Sequence, residues 1–233
     1  MDQAISLKCG ALTAKVLPRG ATLSRLRWGA RDLILGFANP THHHSVPIYA
    51  GHLVGPIANR LSAGKFSVHG ASYQLERNED GQTTLHSGAS GLHAMQWEVE
   101  DQEAATLRLR CDLADGFGGL PGQRCIRAIY RLAPETLTLE ISATTTKTTP
   151  MNIAHHPYWA LDKDLRDTKL WVDADSYLPK RADNTPSGKV HNVTGTAFDF
   201  RKARVVPIDQ NSDHCMCLAP NPDDTPRHVA TLT

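Results

Sequence analysis

The sequence predicts an all-β protein built as a large antiparallel β-sandwich. Apolar and polar residues alternate with a period of two, the pattern of a strand with one face in water, at residues 107–113 and again at residues 137–143. The 17 glycines and 14 prolines are spread along the chain, as expected where turns join many short strands. An antiparallel sandwich is the class that holds this many strands in one domain.

Two hairpins are predicted from the local pattern. Residues 66–68 and 73–75 alternate on either side of His69-Gly70-Ala71-Ser72, where Gly70 can supply the positive φ of a tight turn. Residues 94–109 contain the best helix formers of the chain, but Trp97 and Val99 fit an alternating strand equally well. We therefore predict two strands and a polar turn there.

Length and charge limit the classes of function. A chain of 233 residues with 40% hydrophobic content can bury one sizeable core, and no linker-like segment divides it, so a single domain over residues 1–233 is predicted. The 25 Lys and Arg residues balance 24 Asp and Glu residues without a long run of either sign, so no nucleic-acid surface is expected. The expected partner is a small or neutral molecule.

The cysteines and the apolar segments predict a compartment. Five cysteines are an odd and sparse set for this length and are expected to be reduced thiols. The sequence has no basic N-terminal stretch followed by a long apolar run, and no segment reaches the length needed to cross a bilayer. A cytoplasmic protein without membrane contact is therefore expected.

The most informative of the twelve histidines stand in the segment His155-His156-Pro157-Tyr158-Trp159. In an extended chain, His156 and Tyr158 share one face and His155 points to the other. An aromatic ring beside an imidazole suits a sugar site, because the C–H face of a pyranose packs on a ring while polar groups take the hydroxyls. The alternative interpretation has the two histidines cap a strand, with Tyr158 and Trp159 in the core.

Two further segments carry candidate binding residues. His86 enters a loop of Gly and Ser, in which backbone N–H groups can approach a ligand. Asn59 and Arg60 offer hydrogen-bond donors for hydroxyl oxygens. A surface ion pair is the alternative interpretation of Arg60.

No metal and no cofactor are predicted. The segments His42-His43-His44 and His214-Cys215-Met216-Cys217 concentrate possible ligands, but neither has the paired spacing of a structural zinc site. We expect the two cysteines to lie on one face of a strand as small hydrophobes. The His triplet is expected in a solvated loop near a pocket mouth, and a metal-dependent β-barrel enzyme that uses it is the less favoured alternative. A phosphate-binding glycine loop and a nucleophile elbow are absent from the sequence.

Five segments, taken in chain order, resemble the aldose 1-epimerase (galactose mutarotase) family. The segments are Gly55–Leu61, Leu85–Gly88, Asn152–Leu161, Gly195–Phe200 and Asp213–His214. In the same order, the family motifs that they resemble are Gly-Arg-x-Ala-Asn-Arg-Ile, Leu-His-Gly-Gly, Asn-Leu-Thr-x-His-Ser-Tyr-Phe-Asn-Leu, Gly-Thr-Pro-Phe-Asp-Phe and Tyr-Asp-His. Each match alone is modest, but the five in order are specific. The likeness extends from about residue 51 to residue 218.

The resemblance implies a fold, a reaction and site residues. The fold is a large antiparallel sandwich often called a supersandwich, and the reaction is the interconversion of the α and β anomers of an aldose by opening and reclosing the sugar ring. It implies that His156 is the general acid and that His86 is its neighbour at the ring oxygen. It also implies that four residues surround the sugar hydroxyls, namely Asn59, Arg60, Tyr158 and Asp213. The implied partner is a small-molecule sugar.

This sequence departs from the family at the general base. The family uses a Glu on a strand near its C-terminus, whereas this sequence has no Glu after Glu140 and ends at Thr233. A C-terminally truncated chain is the expected explanation, and a non-catalytic carbohydrate-binding or regulatory module of the same fold is the alternative. Smaller departures, which bear on the choice of sugar, are Pro56, Ser87, Pro157 and Ala160.

Overall fold

The structure, a computed structural model, describes residues 3–161, 165–207, 213–221, 223 and 225–233. The chain divides into two compact units, residues 1–159 and residues 160–233. The expectation of one domain over residues 1–233 stays a prediction, because two units of this kind can belong to one domain.

The first unit contains a short helix and fourteen described strands. The helix, α1, is His42–Ser45. The strands are β1 (Ile5–Cys9), β2 (Leu12–Leu17), β3 (Thr22–Trp28), β4 (Arg31–Asp32), β5 (Leu53–Val54), β6 (Arg60–Ser62), β7 (Lys65–Val68), β8 (Ala71–Gln74), β9 (Thr83–Leu85), β10 (Glu98–Gln102), β11 (Thr106–Leu113), β12 (Arg124–Ala133), β13 (Thr136–Thr145) and β14 (Ala154–His155).

Two antiparallel sheets of the first unit face each other across one core. Their strand orders are β1-β2-β3-β4 and β10-β11-β12-β13, and both are meanders of sequential neighbours. Apolar side chains of both sheets form one buried cluster. Tyr130 of β12 is fully buried in this core and donates its hydroxyl to the carbonyl of Ala21, at 2.7 Å. The predicted sandwich of antiparallel sheets is confirmed.

The alternating segments are strands, as predicted. Residues 107–113 lie in β11, with Leu107 and Leu109 fully buried between part-exposed arginines. Residues 137–143 lie in β13, and residues 94–109 contain the β10–β11 hairpin instead of a helix. The β7–β8 hairpin is also present, and its turn is His69-Gly70, both with positive φ. Two such residues are what a two-residue turn matched to the strand twist requires.

The outward side of the second sheet carries a set of ion pairs, here called the paired-charge face. Four arginines of β11 and β12 alternate with buried residues, so their side chains point to water. Each is paired with a carboxylate at 2.8–3.0 Å, in the pairs Arg108–Asp101, Arg110–Asp112, Arg127–Glu100 and Arg131–Glu140.

Short strand pairs bring distant segments of the first unit together. β5 pairs with β14, and β6 pairs with β9. Gly51 links these pairs to the first sheet, because its carbonyl accepts the N–H of Leu23 at 2.8 Å and its N–H donates to the carbonyl of His156 at 2.9 Å. A side chain does not fit at this position, since a Cβ atom on Gly51 would lie 2.1 Å from the Leu23 oxygen.

The second unit contains six described strands in two three-stranded sheets. The strands are β15 (Lys169–Val172), β16 (Ala174–Leu178), β17 (His191–Asn192), β18 (Arg204–Val205), β19 (Cys215–Leu218) and β20 (Ala230–Leu232). The sheet orders are β18-β15-β20 and β17-β16-β19, and every pairing is antiparallel. Among the described residues, no helix is long and apolar enough to cross a bilayer.

The cysteine predictions are confirmed in part. All five cysteines are free, and the expectation that they are reduced in the cell stays a prediction. Cys215 and Cys217 lie in a strand, as expected, where Cys215 is exposed and Cys217 is partly buried. Among the described strands, β19 lies at one end of its sheet.

Candidate active site

Histidine and tyrosine rings of the first unit gather in one place, here called the imidazole cluster. Its members are Tyr49, His86, His93, His156 and Tyr158. The imidazoles of His86 and His156 lie edge to face, with ring centroids 5.5 Å apart and planes at 85°. The ring of Tyr158 lies 5.3 Å from His156. Both predicted catalytic residues and one predicted binding residue are therefore neighbours.

The backbone around His86 fixes the orientation of its ring. β9 ends at Leu85, and the next three residues all have positive φ, so the chain turns sharply there. The N–H of His86 donates to the carbonyl of Asn59 at 3.1 Å, and the N–H of Asn59 donates to Nδ1 of His86 at 3.0 Å. Since Nδ1 accepts a hydrogen bond, the neutral ring carries its hydrogen on Nε2.

The protonation state of His86 follows from its surroundings. Burial, and after it the nearby His156, lowers the pKa of His86 to about 3. The charged form loses more hydration energy on burial than the neutral form, so at neutral pH this imidazole is neutral. It thus presents one N–H donor, at Nε2.

His156 follows directly after β14 and is half-buried. Its N–H donates to the carbonyl of His52, and its own carbonyl accepts from Gly51, both at 2.9 Å. The preceding residue, His155, turns to the opposite side, where its ring lies 6.2 Å from Tyr130 and burial lowers its pKa to about 4. The predicted alternation of these two side chains is confirmed.

Tyr158 and Trp159 lie at the surface. Their exposed fractions are 39% and 50%, so the alternative interpretation that placed both in the core is wrong. β14 ends at His155, so both residues follow the strand instead of lying within it. Tyr158 is nevertheless held, because its hydroxyl donates to the carbonyl of Ile48 at 3.1 Å.

Arg60 forms an ion pair at the start of β6. Its Nε and Nη2 donate to the two carboxylate oxygens of Glu79 at 2.7 and 2.8 Å, and Thr83 donates its hydroxyl to the same carboxylate at 2.8 Å. The Arg60 side chain is only 15% exposed, so this is a half-buried pair and not the surface pair of the alternative interpretation. The guanidinium holds the pKa of Glu79 below its usual range. The adjacent Asn59 has a positive φ and accepts the Arg60 N–H on its side-chain oxygen.

The His triplet does not form the solvated loop that the sequence predicted. It forms the single turn α1, in which His43 is 1% exposed. His43 is satisfied inside the protein, since the N–H of Phe37 donates to its Nε2 at 3.4 Å and its Nδ1 donates to the carbonyl of Ala50 at 3.0 Å. Two prolines near a polar triplet suggest a loop, but backbone partners at both ring nitrogens compensate the burial of this side chain.

A second group of histidines adjoins the imidazole cluster. Nδ1 of His44 lies 3.3 Å from Nε2 of His52, and the His52 ring lies 6.2 Å from that of His93. Burial lowers the pKa of His52 to about 3 and that of His93 to about 4. Within the part of the chain that the structure describes, no group of His, Cys, Asp or Glu residues has the arrangement to hold a metal ion.

Asp213, the remaining predicted site residue, belongs to the second unit. It directly precedes His214 and the strand β19. Its side chain is 77% exposed, and its carboxylate lies 3.2 Å from Nζ of Lys180. Its predicted role at the sugar stays a prediction.

Sequence reasoning missed Tyr49, His52 and His93 as neighbours of the predicted catalytic histidines. Tyr49 and His52 stand only a few residues before the Gly55–Leu61 motif, which is a signal that could have drawn attention to them. His93 follows the Gly and Ser loop that begins at His86. Nothing in their local pattern indicates that these rings meet.

The first unit also has a separate cavity of about 290 Å³. Its walls are mainly leucines of both sheets, with His155 and Trp159 beside them; the lining residues are Leu12, Leu26, Leu33, Glu135, Leu137, Leu139, His155 and Trp159. Mostly apolar walls offer few hydrogen bonds to a polar ligand. The imidazole cluster is therefore the better candidate for chemistry, since it combines a fixed N–H donor, a half-buried second imidazole and an exposed aromatic ring.

Comparison with known proteins gives consistent matches. The sequence pattern of the aldose 1-epimerase family matches residues 3–233. The rat galactose mutarotase is 32% identical over 205 residues, which cover 84% of this chain and 59% of the relative. The aldose 1-epimerase of Escherichia coli K12 is 30% identical over 203 residues, which cover 83% of this chain and 58% of the relative. The chain thus spans about three fifths of the length of these curated relatives.

Solved structures match over the whole chain. An aldose epimerase homologue from Caenorhabditis elegans superposes with a TM-score of 0.90 at 26% identity, covering 100% of this chain and 75% of the other. Galactose 1-epimerase from Lactobacillus acidophilus superposes with a TM-score of 0.87 at 28% identity, covering 99% of this chain and 72% of the other.

Proposed function

The chain belongs to the aldose 1-epimerase family, and we propose that it binds an aldose at the imidazole cluster and interconverts the α and β anomers of that sugar. The names of the curated relatives, galactose mutarotase and aldose 1-epimerase, support this class of reaction. One observation carries the proposal for the site: the imidazoles of His86 and His156 lie edge to face, 5.5 Å apart, beside the exposed ring of Tyr158.

Exchange of anomers requires two proton transfers. One group removes the proton of the C1 hydroxyl while another gives a proton to the ring oxygen as the C1–O5 bond breaks, and the product is the open-chain aldehyde. Closure on the other face of C1 returns both protons. We assign the role of general acid to His156. We propose that His86 donates a hydrogen bond from its Nε2 to the ring oxygen. A neutral His86 suits this role, because a second cation would repel a protonated His156.

The remaining site residues are proposed to hold the sugar hydroxyls. Arg60 is suited to this role because Glu79 fixes the orientation of its guanidinium. Asn59 lies beside it and is joined to His86 through the backbone. Tyr158 offers an exposed ring for the C–H face of the sugar. Asp213 completes the proposed set on the resemblance alone.

The general base is absent from the proposed residues. The family's base is a Glu near the C-terminus, and this sequence has no Glu after Glu140. A second candidate function, which rests on the same pair of imidazoles and the ring of Tyr158, is a carbohydrate-binding or regulatory module that binds the sugar without the reaction. The two functions differ in one property, since both predict binding of a sugar and only the first predicts faster exchange of its anomers.

Polarimetry on freshly dissolved α-D-galactose and α-D-glucose tests the reaction. The full-length gene product should accelerate the approach to anomeric equilibrium, and His156→Ala should reduce the rate by at least about a hundredfold, because a positioned acid typically contributes that factor. His69→Asn, on the exposed β7–β8 turn, is the matched control and should keep the rate.

Saturation-transfer NMR with the same sugars separates the two candidates. Sugar binding without any acceleration would support the binding module and reject the mutarotase. A rate that survives His156→Ala nearly unchanged would remove His156 from the acid role. Absence of both binding and acceleration, with either sugar and with other aldoses, would contradict both functions.

Two wider expectations belong to the same proposal. We propose that the two units form one domain over residues 1–233, and we propose the cytoplasm as the compartment on the argument of sparse, reduced cysteines. No metal or cofactor takes part in the proposed reaction.

A further inference from the structure

Tyr49 occupies the centre of the imidazole cluster, although no sequence pattern pointed to it. Its ring lies 4.7 Å from the His86 ring at 78° and 4.9 Å from the His93 ring at 86°. Its distance to the His156 ring is 6.2 Å. Tyr49 therefore contacts His86 and His93 edge to face and also adjoins the proposed acid.

The backbone of Tyr49 is held in an uncommon conformation. Its φ is +56°, a region that bulky residues rarely adopt. Hydrogen bonds fix the residues on both sides: the Ile48 carbonyl accepts the Tyr158 hydroxyl, the Ala50 carbonyl accepts from His43, and the Tyr49 carbonyl accepts the N–H of His52. Conformations of this kind persist where the surroundings over-determine them, and they concentrate at functional sites.

The phenol of Tyr49 keeps its proton at neutral pH. Burial raises its pKa, and the Glu79 carboxylate raises it further. The hydroxyl is thus unsuited to replace the missing base, and the edge-to-face contacts of the ring are what Tyr49 contributes to its neighbours.

We propose that Tyr49 is a positioning residue, whose ring holds the imidazole of His86 at the angle to His156 that lets both address the same ring oxygen. The ring of Tyr49 packs against one side of the His86 imidazole, while the backbone N–H of Asn59 holds its Nδ1 from another side. Without the ring, His86 keeps its hydrogen bond but gains freedom to tilt about it. The expected effect on catalysis rests on the proposed function. The effect of the Tyr49 ring on the orientation of the His86 ring does not.

Two substitutions separate the ring of Tyr49 from its hydroxyl. Tyr49→Leu removes the aromatic ring and Tyr49→Phe restores it without the hydroxyl. We expect Tyr49→Leu to lower kcat about tenfold or more with KM changed less than about threefold, because misplacement of a reacting group acts on the transition state. Tyr49→Phe should recover kcat to within about threefold of the starting protein.

A second readout follows His86 itself. In protein labelled with ¹⁵N-histidine, the Nε2–H resonance of His86 should move or broaden in Tyr49→Leu and keep its position in Tyr49→Phe. Tyr73→Leu is the matched control, since Tyr73 is a half-buried tyrosine stacked on Phe66 at 5.1 Å in the β7–β8 hairpin, outside the cluster. It should change neither kcat nor the His86 resonance.

The outcomes are distinguishable. An unchanged kcat and an unchanged His86 resonance in Tyr49→Leu would overturn the inference, and equal losses in Tyr49→Phe and Tyr49→Leu would assign the effect to the hydroxyl and overturn it as well. If the starting protein neither binds nor converts a sugar, the proposed function fails while the His86 resonance still decides the geometry. Should Tyr49→Leu not fold, Tyr49→Met offers a flexible side chain of similar reach for the same comparison.

Discussion

Acidification to about pH 5 should remove most of the free energy of folding of the first unit, because the pKa values of four of its histidines are lowered, chiefly by burial, to about 3 or 4. The pKa values of His52 and His86 are lowered to about 3, and those of His93 and His155 to about 4, from the ordinary value of 6.5. Unfolding restores the ordinary value, so each side chain takes up a proton when the chain unfolds in mild acid.

The direction of the change in stability with pH follows from the lowered histidine pKa values in the folded state. The stability that these histidines contribute is complete above about pH 6.5 and is lost as the pH falls from there toward the folded pKa values, since only the unfolded chain can then be charged. At pH 5 an ordinary histidine is almost fully protonated, so each of the four costs about 2 kcal/mol and together they cost about 8 kcal/mol. A domain of this size is typically stable by about 5–15 kcal/mol.

Urea denaturation at a series of pH values measures this loss. The free energy of unfolding should fall by about 5 kcal/mol per pH unit between about pH 5.5 and 4.5, the slope expected for four protons. His93→Leu should reduce the slope by about a quarter, whereas His69→Asn, on an exposed turn, should leave it unchanged. A slope below about 1.4 kcal/mol per pH unit, the value for a single proton, would refute the reasoning.

Two further substitutions test the packing of the first unit by urea denaturation at neutral pH. Trp97 is 2% exposed, and Trp97→Ala should destabilise by about 3–5 kcal/mol, whereas Trp28→Ala, at a site 40% exposed, should cost about 1 kcal/mol or less; equal losses would contradict the burial argument. Gly51→Ala should lower the free energy of unfolding by more than about 2 kcal/mol, because the new Cβ would meet a backbone oxygen at 2.1 Å. Gly70 also has a positive φ, but no atom lies near its missing Cβ, so Gly70→Ala should lower the free energy of unfolding by about 1 kcal/mol. A Gly51→Ala protein as stable as Gly70→Ala would show that the backbone relaxes around the contact.

Much of the strand content could be predicted from the sequence because period-two alternation is a local property. β11 and β13 show this alternation along their apolar faces, and Gly70 indicates the turn of the β7–β8 hairpin. The short pairs β5–β14 and β6–β9 could not be predicted, because two or three residues are too few for a pattern and their partners are distant in sequence.

The candidate site also has features that local sequence predicts and features that it does not. The opposite directions of His155 and His156 follow from extended geometry, and the structure confirms them. The hydrogen bond between Asn59 and His86 joins residues 27 positions apart and depends on the register of β6 against β9, which no local signal fixes. His43 was placed wrongly for a related reason, since its burial depends on the backbone partners at Phe37 and Ala50.

The paired-charge face of the second sheet has a consequence for handling the protein. The net charge of +1 reflects nearly equal numbers of cations and anions, 25 against 24, and the arginines of this face each lie beside a carboxylate. Such a surface has little long-range repulsion, and patches of opposite sign on different molecules can attract one another when the counterion atmosphere is thin. Moderate ionic strength should therefore increase solubility near neutral pH, and dialysis into pure water should precipitate the protein.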